Sequence, residues 1–289
     1  VEANASAVSR AAHTAARPGL SWRATDLTEA EQSLPSTWPH TIRPPWEEGG
    51  TGAGVRVCVM DSGVEPDHPL VGPLSAAHAV TPGPDGRLRV VTDESGDAYG
   101  HGTACAGVIR SLAPECSLVS LRVLGAGFSC TGQTLLTGLR WAVDQGFDIV
   151  NISLSTTKRE LRDELHDLAD RACFGGTLLV AAANNRRIES FPWRFASVMS
   201  AGSHALSDPR HLLYNPRPPV EFYARGTDVP APWPGGGTRL CSGNSFAAAH
   251  LTGLCALILS RYPGLAPFQV RSMLHLLAAN VSPDREPAR

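Results

Sequence analysis

A chain of 289 residues can bury a sizeable core without help from disulfides or metals. With 43% hydrophobic and 18% charged residues it has the balance of a globular protein and not of a disordered or fibrous one. A net charge of −2 and a pI near 6.6 exclude the strongly basic footprint of a nucleic-acid partner, and no apolar run approaches membrane-spanning length.

Residues 1–33 are rich in Ala, Ser and Arg, lack strand or helix periodicity, and read as an N-terminal extension. Residues 34–289 read as one domain, led in by the Trp- and Pro-rich stretch from Trp38 to Trp46 and opening at the Thr51-Gly52-Ala53-Gly54 turn. Short apolar runs predict strands at Val55–Met60, Ser117–Val123, Asp148–Ser153, Thr177–Ala182 and Ser197–Ala201. Helical patterns alternate with them. Gly102–Arg110 is a small-residue helix. Leu135, Leu136, Leu139, Ala142 and Val143 share one face of another. Leu161, Leu165, Leu168, Ala169 and Ala172 share the apolar face of a third. Residues 202–241, rich in Pro, Gly and Arg, read as long loops with one short strand, Val220–Ala224. Two helices close the chain, Ser245–Tyr262 and Ala266–Ala279. Strands alternating with helices predict an α/β fold, a three-layer sandwich whose mostly parallel central sheet is flanked by helices.

The seven cysteines are odd in number and several lie in apolar runs, so they read as small core residues and not as a disulfide framework. The opening Val1-Glu2-Ala3-Asn4 lacks the basic-then-apolar pattern of a secretion signal. The expected compartment is the cytoplasm, the alternative being a secreted protein whose signal has been removed.

Three segments carry candidate chemistry. Asp61 follows a buried strand and precedes Ser62-Gly63; it is either a turn-capping acid or an acid that orients a histidine. His101 lies between two glycines at the head of a small-residue helix, which leaves its ring unobstructed; His68 and His250 are the neighbouring histidines and read as structural. Ser245, in Gly243-Asn244-Ser245-Phe246-Ala247, opens another helix. There it is either a cap or a nucleophile served by the helix field and a free backbone N–H.

Together these segments, in the order Asp, His, Ser, resemble the catalytic motifs of subtilisin-like serine peptidases. The resemblance implies Ser245 as nucleophile, His101 as general base and Asp61 as its partner. It extends to Ala181-Ala182-Ala183-Asn184-Asn185, which is similar to the family strand that ends in the oxyanion-hole asparagine, placing that donor at Asn185. Asn184 stands where the family usually has glycine. Ser153, Leu154 and Ser155 resemble the lining of the primary specificity pocket, and Gly125, Ala126 and Gly127 the opposite edge strand. Ala183, Asn184, Arg186 and Ser190 complete the implied substrate-binding set. A peptide or protein substrate would lie between the two edges as an added strand. Phe191-Pro192 resembles a family loop whose proline bond is often cis.

The chain also departs from the family. Asn244, Phe246 and Ala249 replace the usual Thr, Met and Pro. Between the His101 helix and the Ser117 strand only Ser111–Cys116 intervene, where many relatives carry a loop that wraps calcium. That ion needs about six to eight oxygen ligands, so no tight calcium site, and no other metal or cofactor, is expected. Around the pocket, Arg186 would favour an acidic residue before the scissile bond and Glu189 a basic one, unless the two charges pair with each other. Cys105 and Cys241, near His101 and Ser245, read as apolar packing. The function that follows is a serine endopeptidase, with narrow-specificity processing as its finer form. A ligase that passes the acyl-enzyme to an amine and a silent peptide-binding scaffold are the alternatives.

Overall fold

A computed structural model describes residues 43–281, all within one compact unit. The N-terminal extension assigned to residues 1–33 lies outside the described residues. Nine strands form one sheet in the order β3-β2-β4-β1-β5-β6-β7-β9-β8. They are β1 Arg56–Asp61, β2 Ala76–Pro82, β3 Leu88–Thr92, β4 Ser117–Arg122, β5 Ile149–Ile152, β6 Leu178–Ala182, β7 Val198–His204, β8 Leu213–Tyr214 and β9 Phe222–Arg225. Every pairing is parallel except those of β3 with β2 and of β8 with β9 at the two edges. Strands β10 Val229–Trp233 and β11 Gly237–Cys241 form a separate antiparallel hairpin.

Alternation along the central strands feeds two cores. In β1, Val57 and Val59 join one apolar cluster while Cys58 and Met60 join the other; in β6, Leu178 and Val180 separate from Leu179 and Ala181 in the same way. On the first face pack the helices α1 His101–Leu112, α4 Asn244–Arg261 and α5 Pro267–Leu277. On the second lie α2 Gly132–Asp144 and α3 Arg162–Phe174. The expected three-layer sandwich is therefore present. Helix α4 is buried continuously from Ser245 to Leu259, because its residues are apolar or small on every side. It runs between the sheet and α1, which fixes its N-terminus at the carboxyl ends of the parallel strands.

The strands read from the sequence match within one to three residues at each end. Missed were β2, β3, β8 and the hairpin. Residues 202–241 contain four strands and not one. In β10 two prolines alternate with Val229 and Ala231, a pattern that a two-stranded ribbon tolerates because each strand has an unpaired side. The edge strand β3 is largely exposed, and its apolar Leu88, Val90 and Val91 are interrupted by Arg89 and followed by Thr92.

At the end of α1 the chain turns through Ala113–Cys116 directly into β4. There the Arg110 guanidinium gathers four carbonyl oxygens. Nε donates to Val71 O (2.8 Å), Nη2 to Pro73 O (3.2 Å), and Nη1 to Pro114 O (2.9 Å) and Cys116 O. All seven cysteines are free thiols, five of them buried. Among the described residues no helix is long and apolar enough to cross a membrane.

Candidate active site

Asp61 is the last residue of β1 and wholly buried. Its carboxylate accepts the Ser62 N–H (2.7 Å) and faces His101 Nδ1, which lies 2.9 Å from both oxygens. With Nδ1 engaged there, Nε2 is the nitrogen left to take up a proton. Burial works against the charged imidazole, but the Asp61 carboxylate and its hydrogen bond outweigh it, holding His101 well above the usual histidine range.

The close approach of β1 to α1 depends on glycine. A Cβ at Gly102 would fall 1.9 Å from the Gly63 carbonyl oxygen. Gly100, at φ 108°, caps the helix with no side chain to offer. Asp97 supplies the missing cap. Its Oδ1 accepts from Tyr99 N, Gly100 N and Ser62 Oγ, and its Oδ2 from Thr103 N and Thr103 Oγ1, at 2.6–3.0 Å. Ser62 Oγ in turn accepts the Gly102 N–H (3.0 Å). Sequence reasoning overlooked Asp97. Its signal was an acid three residues before a glycine that begins a helix.

Ser245 is buried in the first turn of α4. The neighbouring Phe246 ring lies 5.3 Å from the His101 ring, which sets the start of α4 beside the imidazole. Asn244 ties that turn to the strand ends. Its Nδ2 donates to Ala183 O (3.0 Å), and its Oδ1 accepts from Ser203 N (2.9 Å) and Ser203 Oγ (2.8 Å). The two asparagines after β6 separate cleanly. Asn184 is taken up locally, with Nδ2 on Ser155 Oγ (3.2 Å) and Oδ1 receiving Arg186 N (2.9 Å). Asn185 Oδ1 accepts the Asn244 N–H (3.0 Å), which orients its amide at the N-terminus of α4; its Nδ2 makes no hydrogen bond among the described residues.

A cavity of about 510 Å³ opens beside Ser245. It brings together Ser153, Leu154, Ser155, Ala183, Asn184 and Arg186 of the implied substrate-binding set with Asn185. Ser190, expected in the substrate-binding set, is not in the lining; it is fully buried, its hydroxyl accepting Trp193 Nε1–H (2.9 Å). Gly125, Ala126 and Gly127 are outside the lining. Gly125 N bonds Ser129 O and Phe128 N bonds Gly125 O, which closes a tight turn in place of an edge strand. The turn presents Phe128, at φ 51°, to the cavity, stacked on Tyr99 (4.6 Å) and tilted over His101 (4.8 Å). Phe128 was missed; a lone aromatic in a Gly- and Ser-rich loop was the available signal. Arg186 and Glu189 do not pair with each other. Glu189 joins Arg159 (2.8 Å) and, more distantly, Arg194 (3.9 Å). The Phe191–Pro192 bond is cis, as the resemblance implied.

The competing histidines are taken up elsewhere. His68 Nε2 meets Trp233 O (3.1 Å), and His250 Nδ1 meets Phe246 O (2.8 Å), with burial pushing His250 down to about 4. Cys105 Sγ lies 3.7 Å from His101 Nδ1, and burial pushes its thiol up, as it does for Cys241. Asp61, His101 and Cys105 hold their ligand atoms within 4.8 Å of one another. The 2.9 Å separation of Asp61 and His101 is nonetheless that of a hydrogen bond, and a metal would have to replace its proton.

A parallel α/β sheet with an Asp–His pair at one strand end, and a serine opening the central helix, is the layout of a serine hydrolase. The model of the Subtilase family matches residues 52–287, and the chain belongs to that family of subtilisin-like serine peptidases. It is 29% identical to Subtilisin DY of Bacillus licheniformis over 81% of this chain and 87% of that protein. It is 30% identical to alkaline elastase YaB of Bacillus sp. (strain YaB) over 81% of this chain and 61% of the relative, so it spans less than two thirds of that relative's length. Among solved structures, a cold-adapted subtilisin-like serine proteinase superposes with a TM-score of 0.62 at 26% identity, covering 78% of this chain and 82% of the other.

Proposed function

We propose that this chain is a serine endopeptidase of narrow specificity that processes peptide or protein substrates. Ser245 Oγ attacks the scissile carbonyl and passes its proton to His101 Nε2. The imidazolium is balanced by Asp61, and the proton goes on to the leaving amine. The oxyanion is stabilised by the Ser245 N–H and Asn185 Nδ2. Water then hydrolyses the acyl-enzyme, with His101 again accepting a proton. The observation that carries this reading is the Asp61–His101 pair, 2.9 Å through Nδ1, beside the first turn of the helix that holds Ser245. The narrow specificity is supported by the closed Phe128 turn, which restricts the space over His101. The seven unpaired thiols support a reducing compartment such as the cytoplasm. Fluorophosphonate labelling tests the proposal. Ser245 is expected to be labelled in the parent, and not in Ser245→Ala; in His101→Ala labelling is lost as well. A parent protein that is folded yet never labelled overturns it.

A further inference from the structure

We propose that the cavity beside Ser245 selects an acidic side chain on the residue preceding the scissile bond, and that Arg186 is the specificity-determining residue; this rests on the peptidase reading above. Among the described residues, Arg186 is the one charged group in the cavity lining. Its backbone N–H is held by Asn184 Oδ1 at 2.9 Å, which fixes its place on the rim, and its side chain is exposed with no ion pair among the described residues. The nearby acid that would cancel it is held elsewhere. Glu189 lies outside the lining, bound by Arg159 at 2.8 Å and approached by Arg194 at 3.9 Å. Arg187, also exposed, adds a second charge of the same sign next to the rim.

The neutral part of the lining points the same way. Ser155 Oγ already accepts from Asn184 Nδ2 (3.2 Å), so its proton is available to donate. A carboxylate accepts hydrogen bonds and donates none, and it matches a guanidinium fork better than it matches water. A lysine side chain entering the cavity would meet a like charge and a donor. An apolar side chain would leave that donor without an acceptor. The cavity, about 510 Å³, is large enough for a glutamate side chain.

The test uses peptides that differ only in Glu, Gln, Leu or Lys before the scissile bond. Glu and Gln share a shape, so their ratio reads charge alone. The expected kcat/KM for Glu exceeds that for Gln by about five-fold or more at low salt, the scale of a partly exposed charge pair, and the ratio shrinks as salt rises. Arg186→Ala brings the ratio to near one, and Arg186→Glu shifts the preference to Lys. Glu189→Gln leaves the ratio unchanged. Fluorophosphonate labelling of Ser245 is run on each protein. Labelling with a preference for Leu or Lys that Arg186→Ala does not alter overturns this inference alone. Absence of labelling in the parent overturns the peptidase reading, and this inference with it.

Discussion

Asp61 and His101 sit where a single added carbon meets backbone, whereas Phe128 and Arg186 sit where side chains stand in solvent. The floor of the cleft is made of strand ends and helix starts in van der Waals contact: Gly102 against Gly63, the Asp97 cap, and the Asn244 cross-links. The rim is made of turns and exposed charges at residues 125–129, at Asn184 and at 186–189, while Asn185, bound to the Asn244 N–H, belongs to the floor. Reaction chemistry needs fixed geometry, and the floor supplies it by leaving no alternative packing. Choice of substrate needs only a shape and a sign, and the rim can change both without disturbing the sheet.

The sharpest way to break this contrast is Gly102→Ala. Its Cβ would stand 1.9 Å from the Gly63 oxygen, so β1 and α1 must part. The expected cost is about 3 kcal/mol of stability, together with loss of most activity. A denaturant midpoint equal to that of the parent would show the floor to be soft. Next in size, Asn185→Ala is expected to lower turnover on the order of 10²–10³-fold, the loss known for the corresponding donor of a subtilisin. Asn184→Ala, which loses only the local turn and the bond to Ser155, should lower it by less than about ten-fold. Equal losses at both positions in kcat would erase the boundary between floor and rim.

The smallest effect concerns protons. His101 titrates well above its ordinary value of about 6.5 because of Asp61. It must be neutral to act as a base, so kcat/KM should rise with pH on a limb shifted to the alkaline side. Stability moves the other way. The stabilisation from the charged pair is fully present below the unfolded value and is lost as pH rises through the folded one. A rate limb at or below the ordinary histidine value, measured by a pH profile of kcat/KM, would contradict this assignment.

The same contrast decides what could be read from the sequence. Asp-Ser-Gly, Gly-His-Gly and Gly-Asn-Ser are local runs, because the floor requires small residues directly beside each reactive group. The parallel core was legible from its apolar strands. The partner of Glu189 was not, since Arg159 lies 30 residues away, with α3 and β6 between them. The closed turn at 125–129 was missed because a resemblance to an edge strand hides which backbone bonds form. The strands β2 and β3, next to and at the sheet edge, were missed because partly exposed strands interleave polar residues, His78 and Thr81 in β2 and Arg89 in β3, with apolar ones.

Arg110 has one more consequence. An ion that ties a loop together has a dissociation constant, so dilution or a chelator can empty its site and loosen the fold. The cation that draws Val71, Pro73, Pro114 and Cys116 together is attached to α1 itself. It cannot diffuse away, and its occupancy is set by the chain and not by the solution. The junction that carries α1, and with it His101, is thereby held by a cation that neither dilution nor a chelator can remove.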